Sequence, residues 1–334
     1  MASLKFNPFS DSAIVNYDQY KKYPFIPFGN WEVIKNRITG QVNQIKEGYF
    51  YGERSILIGS RGIGKTTTLF ALKDILEENN IRVELFSRLV EDAEHFRILT
   101  GENIGNVSMN PLYILIDFPD TLDTKSFKSF LGFLWSLMTH KNYSKINLIF
   151  AMNNSHFEKS FSYSEIFGKF ITLRLETLKL EEAESLIESR FNKAEENWKN
   201  VFDYETLSLI FNYSKGIPRN IVSACNILIE NINGKFLTID ASARILQEKY
   251  VDQVINDRVE DKEERRILRN MIDIIKNDFN GRSEKQNDYL EKVREKLGLG
   301  QVTILKKLDS LLKWGIFSYQ KGGEKRRNKI LSLT

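Results

Sequence analysis

Residues 59–66 read Gly59-Ser60-Arg61-Gly62-Ile63-Gly64-Lys65-Thr66, and no other segment constrains the chain as strongly. Glycines open the loop and precede a lysine and a hydroxyl residue. Such a loop lets successive backbone N–H groups curl around an anion. The pattern carries this meaning only between a buried strand and a helix. Both flanks are present: Ser55–Ile58 is a short apolar strand, and a helical pattern runs on to about Leu76. The helix N-terminus adds positive potential to the same spot. Lys65 is then the cation for the β- and γ-phosphates of a nucleotide, and the Thr66 hydroxyl is a ligand for Mg²⁺. The expected ATP or ADP site comprises Gly59, Ser60, Arg61, Gly62, Ile63, Gly64, Lys65, Thr66 and its neighbour Thr67.

Strands and helices alternate around this loop. Asn30 stands before a helical pattern that reaches about Gly48. Arg82–Phe86, Leu112–Asp117, Ile146–Met152 and Phe170–Leu175 read as strands, with a helix over Lys125–Met138. Continuous apolar strands separated by helices imply a parallel sheet covered on both faces. From Lys179 the strand signal stops. Helical patterns follow at Leu180–Phe191, Tyr204–Tyr213, Pro218–Ile232 and, more weakly, Ala241–Tyr250. Residues 1–29 are rich in aromatics and proline and read as an ordered arm without regular structure. Residues 251–264 are either a linker or the first turn of a long helix.

Three further positions are chemically suggestive. Asp117 ends a buried strand 52 residues after Lys65. A carboxylate there is costly unless paired. It either caps a turn or holds Mg²⁺ beside Thr66. Asn153-Asn154 ends the next strand; these are turn asparagines, or Asn153 orients a water against the γ-phosphate. In Gly216-Ile217-Pro218-Arg219-Asn220, glycine ends one helix and proline starts the next. Arg219 then sits in a first turn, where a cation does not suit the helix dipole. That mismatch points to an external anion.

Together these segments resemble the AAA+ ATPases over roughly residues 26–250: a P-loop, a Walker-B strand ending in Asp117, a sensor-1 Asn153 and a helical lid with a GxPR motif at Arg219. Within that superfamily, Asn153-Asn154-Ser155-His156-Phe157 is similar to the asparagine-led segment of archaeal and eukaryotic origin-recognition initiators. The resemblance implies an α/β P-loop fold with sheet order 5-1-4-3-2. It also implies ATP held between α/β domain and lid, Arg219 near the γ-phosphate, and Phe25–Phe28 near the adenine. Lys65, Asp117, Asn153 and Arg219 become its catalytic positions. Two features depart from the family. Phe118 stands where it usually has the water-polarising Glu, leaving Asp120 as the nearby acid. Residues 153–169 contain no arginine, only Lys159 and Lys169, where an arginine finger is usual. Slow hydrolysis, a nucleotide-switch role or an unusual assembly mode each fit these departures.

Charge divides the chain. Residues 262–334 hold 18 Lys/Arg against 10 Asp/Glu, whereas the preceding residues are net −4. A basic tail on a mildly acidic body implies an anionic partner, nucleic acid first, or else a lysine-rich solvated surface. Helical patterns at Glu263–Phe279, Asp288–Leu297 and Gln301–Lys313 precede two strands, Ile316–Gln320 and Asn328–Leu333, around a Gly322-Gly323 turn. This order resembles the DNA-binding winged-helix domains. The third helix would turn Val302, Leu305, Leu308 and Leu312 to the core. It would offer Gln301, Thr303, Lys306 and Lys307 to a major groove. Lys321, Lys325, Arg326 and Arg327 would contact phosphates or the minor groove.

The expected domains are 1–178 (arm and α/β domain), 179–255 (helical lid) and 256–334 (winged helix). The 334 residues have room for two domains or three small ones. Apolar runs as short as Leu112–Ile116 and Leu148–Met152 exclude a spanning helix, and the start has no signal-peptide core. The single Cys225 excludes an internal disulfide, and with three histidines it excludes a zinc finger. The expectation is a cytoplasmic, DNA-associated ATPase of replication-initiator type without a membrane partner. Its partners would be duplex DNA and itself or other replication proteins. Close variants are an initiator of a plasmid, virus or mobile element and a transposition-target ATPase. The alternative class is a signalling NTPase whose winged helix binds protein.

Overall fold

A computed structural model describes residues 6–10, 16–23, 25–49, 52, 54–86, 112–118, 146–154, 157–158, 168–231, 236–259, 261–314, 316–321 and 329–333. The expected helix at Lys125–Met138, Asp120, and the turn with Lys325, Arg326 and Arg327 lie outside the described residues. The chain divides into two compact units. An α/β unit comprises Pro8–Glu196 and Gly216–Val222; a second comprises Met1–Asn7, Asn197–Lys215 and Ser223–Thr334.

In the α/β unit the described elements are α1 (Tyr17–Lys22), α2 (Trp31–Lys46), β1 (Arg54–Gly59), α3 (Lys65–Glu78), β2 (Arg82–Phe86), β3 (Leu112–Asp117), β4 (Ile146–Asn153), β5 (Ile171–Arg174) and α4 (Leu180–Lys193). The strands form one sheet in the order β2-β3-β4-β1-β5, and every pairing is parallel. This is the 5-1-4-3-2 order that the family resemblance implies. The central strands are buried nearly end to end, while β2 and β5 are partly exposed, as edge strands are. That explains why the central strands read as continuous apolar runs.

One face of the sheet packs Leu57, Tyr113, Leu115, Ile149 and Ala151 against Leu69, Leu72 and Leu76 of α3 and Ile34, Ile38 and Val42 of α2. Because side chains alternate along a strand, the neighbouring positions face the other way. There the Phe118, Phe150 and Phe170 rings contact one another in series, with centroids 6.1 and 5.1 Å apart.

The N-terminal arm is not devoid of regular structure, because it contains α1. Tyr17 and Tyr20 stack together and each meets Phe70 of α3 at 5.5 Å. Tyr17 Oη donates to the Asp74 carboxylate, which also pairs with Lys21 at 2.7 Å. Burial and that hydrogen bond raise the Tyr17 hydroxyl above the usual tyrosine range. At its other end the arm is anchored on α4. Buried Arg190 donates to the Pro8 carbonyl at 3.2 Å and lies over the Phe9 and Tyr23 rings at 5.8 and 4.2 Å.

In the second unit, α5 (Tyr204–Ser214) precedes α6 (Pro218–Glu230), whose first turn belongs to the α/β unit. Then α7 (Ile239–Ile245) continues through one π-helical turn into α8 (Val251–Arg258). Residues 251–258 are therefore helix, and Asp261 caps the next one, α9 (Lys262–Asp278), by accepting from Glu264 N at 2.6 Å. After α9 come β6 (Arg282–Ser283), α10 (Gln286–Leu297), α11 (Gln301–Lys313), β7 (Phe317–Lys321) and β8 (Lys329–Leu333). The two-stranded hairpin expected from the sequence is a three-stranded antiparallel sheet, β6-β8-β7. The pair Arg282-Ser283 is too short to give a sequence signal. Tyr289 locks this end together: fully buried, it donates to the Met271 carbonyl of α9 at 2.9 Å and packs against Phe317 of β7.

The core face of α11 differs from the expectation. Ile304, Leu308 and Leu311 are buried, whereas Val302 and Leu305 are exposed. Both sets fit a 3.6-residue period, because apolar residues cover more of this helix than its neighbours do. Among the described residues no helix is long and apolar enough to cross a membrane.

Arg190→Ala should lower the unfolding free energy by about 1.5–3 kcal/mol, the worth of a hydrogen bond to a charged group. A urea titration checks this, and an unchanged midpoint shows that the arm is not anchored there.

Candidate nucleotide site and basic helix

The loop from β1 to α3 has the backbone that its glycines permit. Gly62 and Gly64 lie at φ +81° and +101°, in the left-handed region. Gly64 is the residue before α3, whose first turn contains no acidic side chain. The positive end of the helix is therefore left for an outside anion. Lys65 is buried, and its ammonium donates to the carbonyls of Gly59 at 3.2 Å and Ser60 at 3.0 Å. Arg61 is exposed at the rim, Ile63 is buried under the loop, and Thr67 is half-buried.

Strand register gathers the other polar groups. The Thr66 hydroxyl donates to Asp117 Oδ2 at 2.5 Å, so the alcohol and carboxylate expected to share a metal already touch. In the β1–β4 ladder Asn153 is the partner of Gly59, which sets it beside the start of the loop. The neighbouring amide oxygen, Oδ1 of Asn154, is buried and has no hydrogen-bond partner. Phe118 is one residue past Asp117, and its ring points into the aromatic layer on the other face. It offers no group to a water.

Gly216 and Arg219 are brought to the same loop. Gly216 has φ +69°, and a Cβ there would lie 2.4 Å from the Leu178 carbonyl oxygen. Its own carbonyl accepts from Leu178 N at 2.8 Å. This places the first turn of α6 so that Arg219 N–H donates to the Gly62 carbonyl at 3.2 Å. A Cβ on Gly62 would come within 2.9 Å of the Arg219 Cβ. The second glycine of the loop is thus required by the close approach of α6, a reason the loop pattern alone does not reveal.

The segment before α2 closes on the loop from the other side. The Phe28 ring is buried, and a Cβ on Gly64 would lie 2.8 Å from it. Glu182 of α4, which sequence reading missed, holds this segment: one carboxylate oxygen accepts from Gly29 N at 2.8 Å and the other from Lys179 N at 2.7 Å. The only sequence signal was an acidic residue in a helix's first turn. The residues fit a Mg²⁺–nucleotide: a cation, an uncompensated helix N-terminus and a hydroxyl–carboxylate pair surround one glycine loop.

In the basic segment, Gln301, Thr303 and Lys306 of α11 are exposed. Lys307 is not on the exposed side: it pairs with Glu264 of α9 at 2.7 Å and its side chain is mostly buried. Its position lies about one turn from the buried Ile304, within reach of the neighbouring helix. Lys321 ends β7, and its side chain is outside the description.

This fold and sheet order are those of the AAA+ P-loop ATPases. The chain is similar to the Aeropyrum pernix ORC2 protein, solved as ADPNP–ADP complexes, with a TM-score of 0.58 at 14% identity over 98% of this chain and 93% of that one. It is also similar to the Aeropyrum pernix ORC1 protein in complex with DNA, with a TM-score of 0.52 at 14% identity over 96% of this chain and 92% of that one. No protein-family model matches the chain, and no curated protein matches it in sequence.

Lys65→Ala should weaken ATP binding about 10- to 150-fold, the equivalent of the 1.5–3 kcal/mol of a charge-assisted hydrogen bond. Titration calorimetry measures this; unchanged affinity would sink the assignment. Gly62→Ala should also weaken ATP binding, by pushing α6 off the loop.

Proposed function

We propose that the chain is an ATP-switched, duplex-DNA-binding AAA+ protein of replication-initiator type. The observation that carries the nucleotide half is the hydrogen bond from the first turn of α6 to the P-loop at Gly62. A γ-phosphate in the loop would meet Arg219 on that turn, and α6 runs on into the second unit. Loading of the site thus has a covalent route to the rest of the chain. Lys65 would hold the β- and γ-phosphates, Thr66 and Asp117 the Mg²⁺, and Asn153 the water. With Phe118 turned into the core, hydrolysis is slow and Asp120 is its candidate helper. The chain works as a switch more than as a motor.

The DNA half rests on residues 262–334, with their excess of eight positive charges. Helix, strand, two helices and two strands is the winged-helix order. On this reading α11 enters the major groove, and Lys321, Lys325, Arg326 and Arg327 bind phosphates. The domain limits on this reading are 1–178, 179–255 and 256–334. The structurally similar ORC1 protein, solved in complex with DNA, is consistent with this partner.

This protein should bind duplex DNA with an affinity that falls steeply with salt, by about 0.9 logarithmic units per neutralised phosphate for each tenfold rise in salt. Changing Lys325, Arg326 and Arg327 together to Ala should weaken binding to every sequence and flatten that slope. Fluorescence anisotropy across a salt series reads both. Salt-independent or absent duplex binding would transfer the basic domain to a protein partner, and the chain would be a signalling NTPase.

A further inference from the structure

Helix α11 carries more apolar side chains than its core uses. Ile304, Leu308 and Leu311 fill the interior, while Val302 is 68% exposed and Leu305 is 40% exposed. Residues 302 and 306 are one turn apart and 305 lies beside them, so Val302, Leu305 and Lys306 share one outward face. Thr303 flanks it. An exposed valine is no help to the helix itself, since its β-branched side chain lowers helix propensity. This half of the helix has no acidic residue in its first turn. Further along, Asp309 is paired with Lys313 at 2.8 Å. The N-terminal half is therefore apolar and cationic together.

A polyanion that displays methyl groups at the depth of an inserted helix matches this face. The major groove of duplex DNA offers the thymine C5-methyl beside the base-edge polar groups, with phosphates at its walls. A recognition helix meets base edges with its N-terminal residues. The excess of eight positive charges on residues 262–334 favours this occupant over a neutral apolar protein surface. We propose that Val302 and Leu305 read thymine methyl groups, so that the protein prefers duplexes with A·T pairs under the first turns of α11. Gln301 is available to pair with adenine. The inference rests on the duplex-binding reading above and specifies its sequence class.

The test uses the full chain. Duplexes selected from a randomised pool should be enriched in thymine at fixed positions. Replacing thymine by deoxyuridine at those positions removes only the methyl groups. Affinity should then fall about fourfold for each buried methyl, from the usual gain per buried carbon. Val302→Ala with Leu305→Ala should bind thymine and deoxyuridine duplexes equally, with the salt slope unchanged. Both residues are exposed, so the variant keeps its core, and an unchanged melting temperature checks this. Salt-sensitive binding with no thymine enrichment, or with equal affinity for the two duplexes, overturns the methyl readout and leaves duplex binding standing. Absence of duplex binding overturns both, and marks Val302 and Leu305 as a protein-docking face.

Discussion

The carbonyl of Gly62 accepts the backbone N–H of Arg219, and the rest of the site depends on that contact. It needs a loop residue without a Cβ at a positive φ, and a helix that starts abruptly after a tight turn. Gly62 supplies the first; Gly216-Ile217-Pro218 supplies the second. The turn is fixed in turn by the mutual approach of Gly216 and Leu178, too close for any side chain on the glycine. Through this chain of close approaches, a helix distant in sequence acquires a fixed place on the P-loop. Glu182 and Phe28 do the same for the opposite wall, one through two backbone N–H groups and the other through ring contact.

The parallel sheet then aligns the chemistry. Register pairs Asn153 with Gly59 and carries Asp117 to the Thr66 hydroxyl, since both strands end at the same edge. Alternation along β3 sends Asp117 and Phe118 to opposite faces. The position after the aspartate is thus part of an aromatic layer with Phe150 and Phe170, and substitution by a carboxylate would bury an unpaired charge. The apolar side chain at this point is built into the packing.

The second unit shows the same physics with a different outcome. Asp261 caps α9, and Lys307 of α11 reaches Glu264 in the first turn of α9. Tyr289 fills the centre and spends its hydroxyl on the Met271 carbonyl. Burial pushes that hydroxyl above the ordinary tyrosine range. Ile304, Leu308 and Leu311 are the α11 residues that join this interior, and Val302 and Leu305 are left outside.

The sequence by itself determined the sheet, because strands buried on both faces read as unbroken apolar runs, and the loop, because glycine, lysine and threonine have few other uses at that spacing. Arg82–Phe86 and Leu112–Asp117 were legible to the residue. It did not determine α1, whose six residues fold only against α3, or β6, which exists only as a partner of β8. Nor did it determine which arc of α11 is buried. Two apolar stripes satisfied the helical period equally, and tertiary packing against α10 and β7 decided between them. Local pattern records what a residue could bury; only the neighbours that arrive from elsewhere in the chain decide what it does bury.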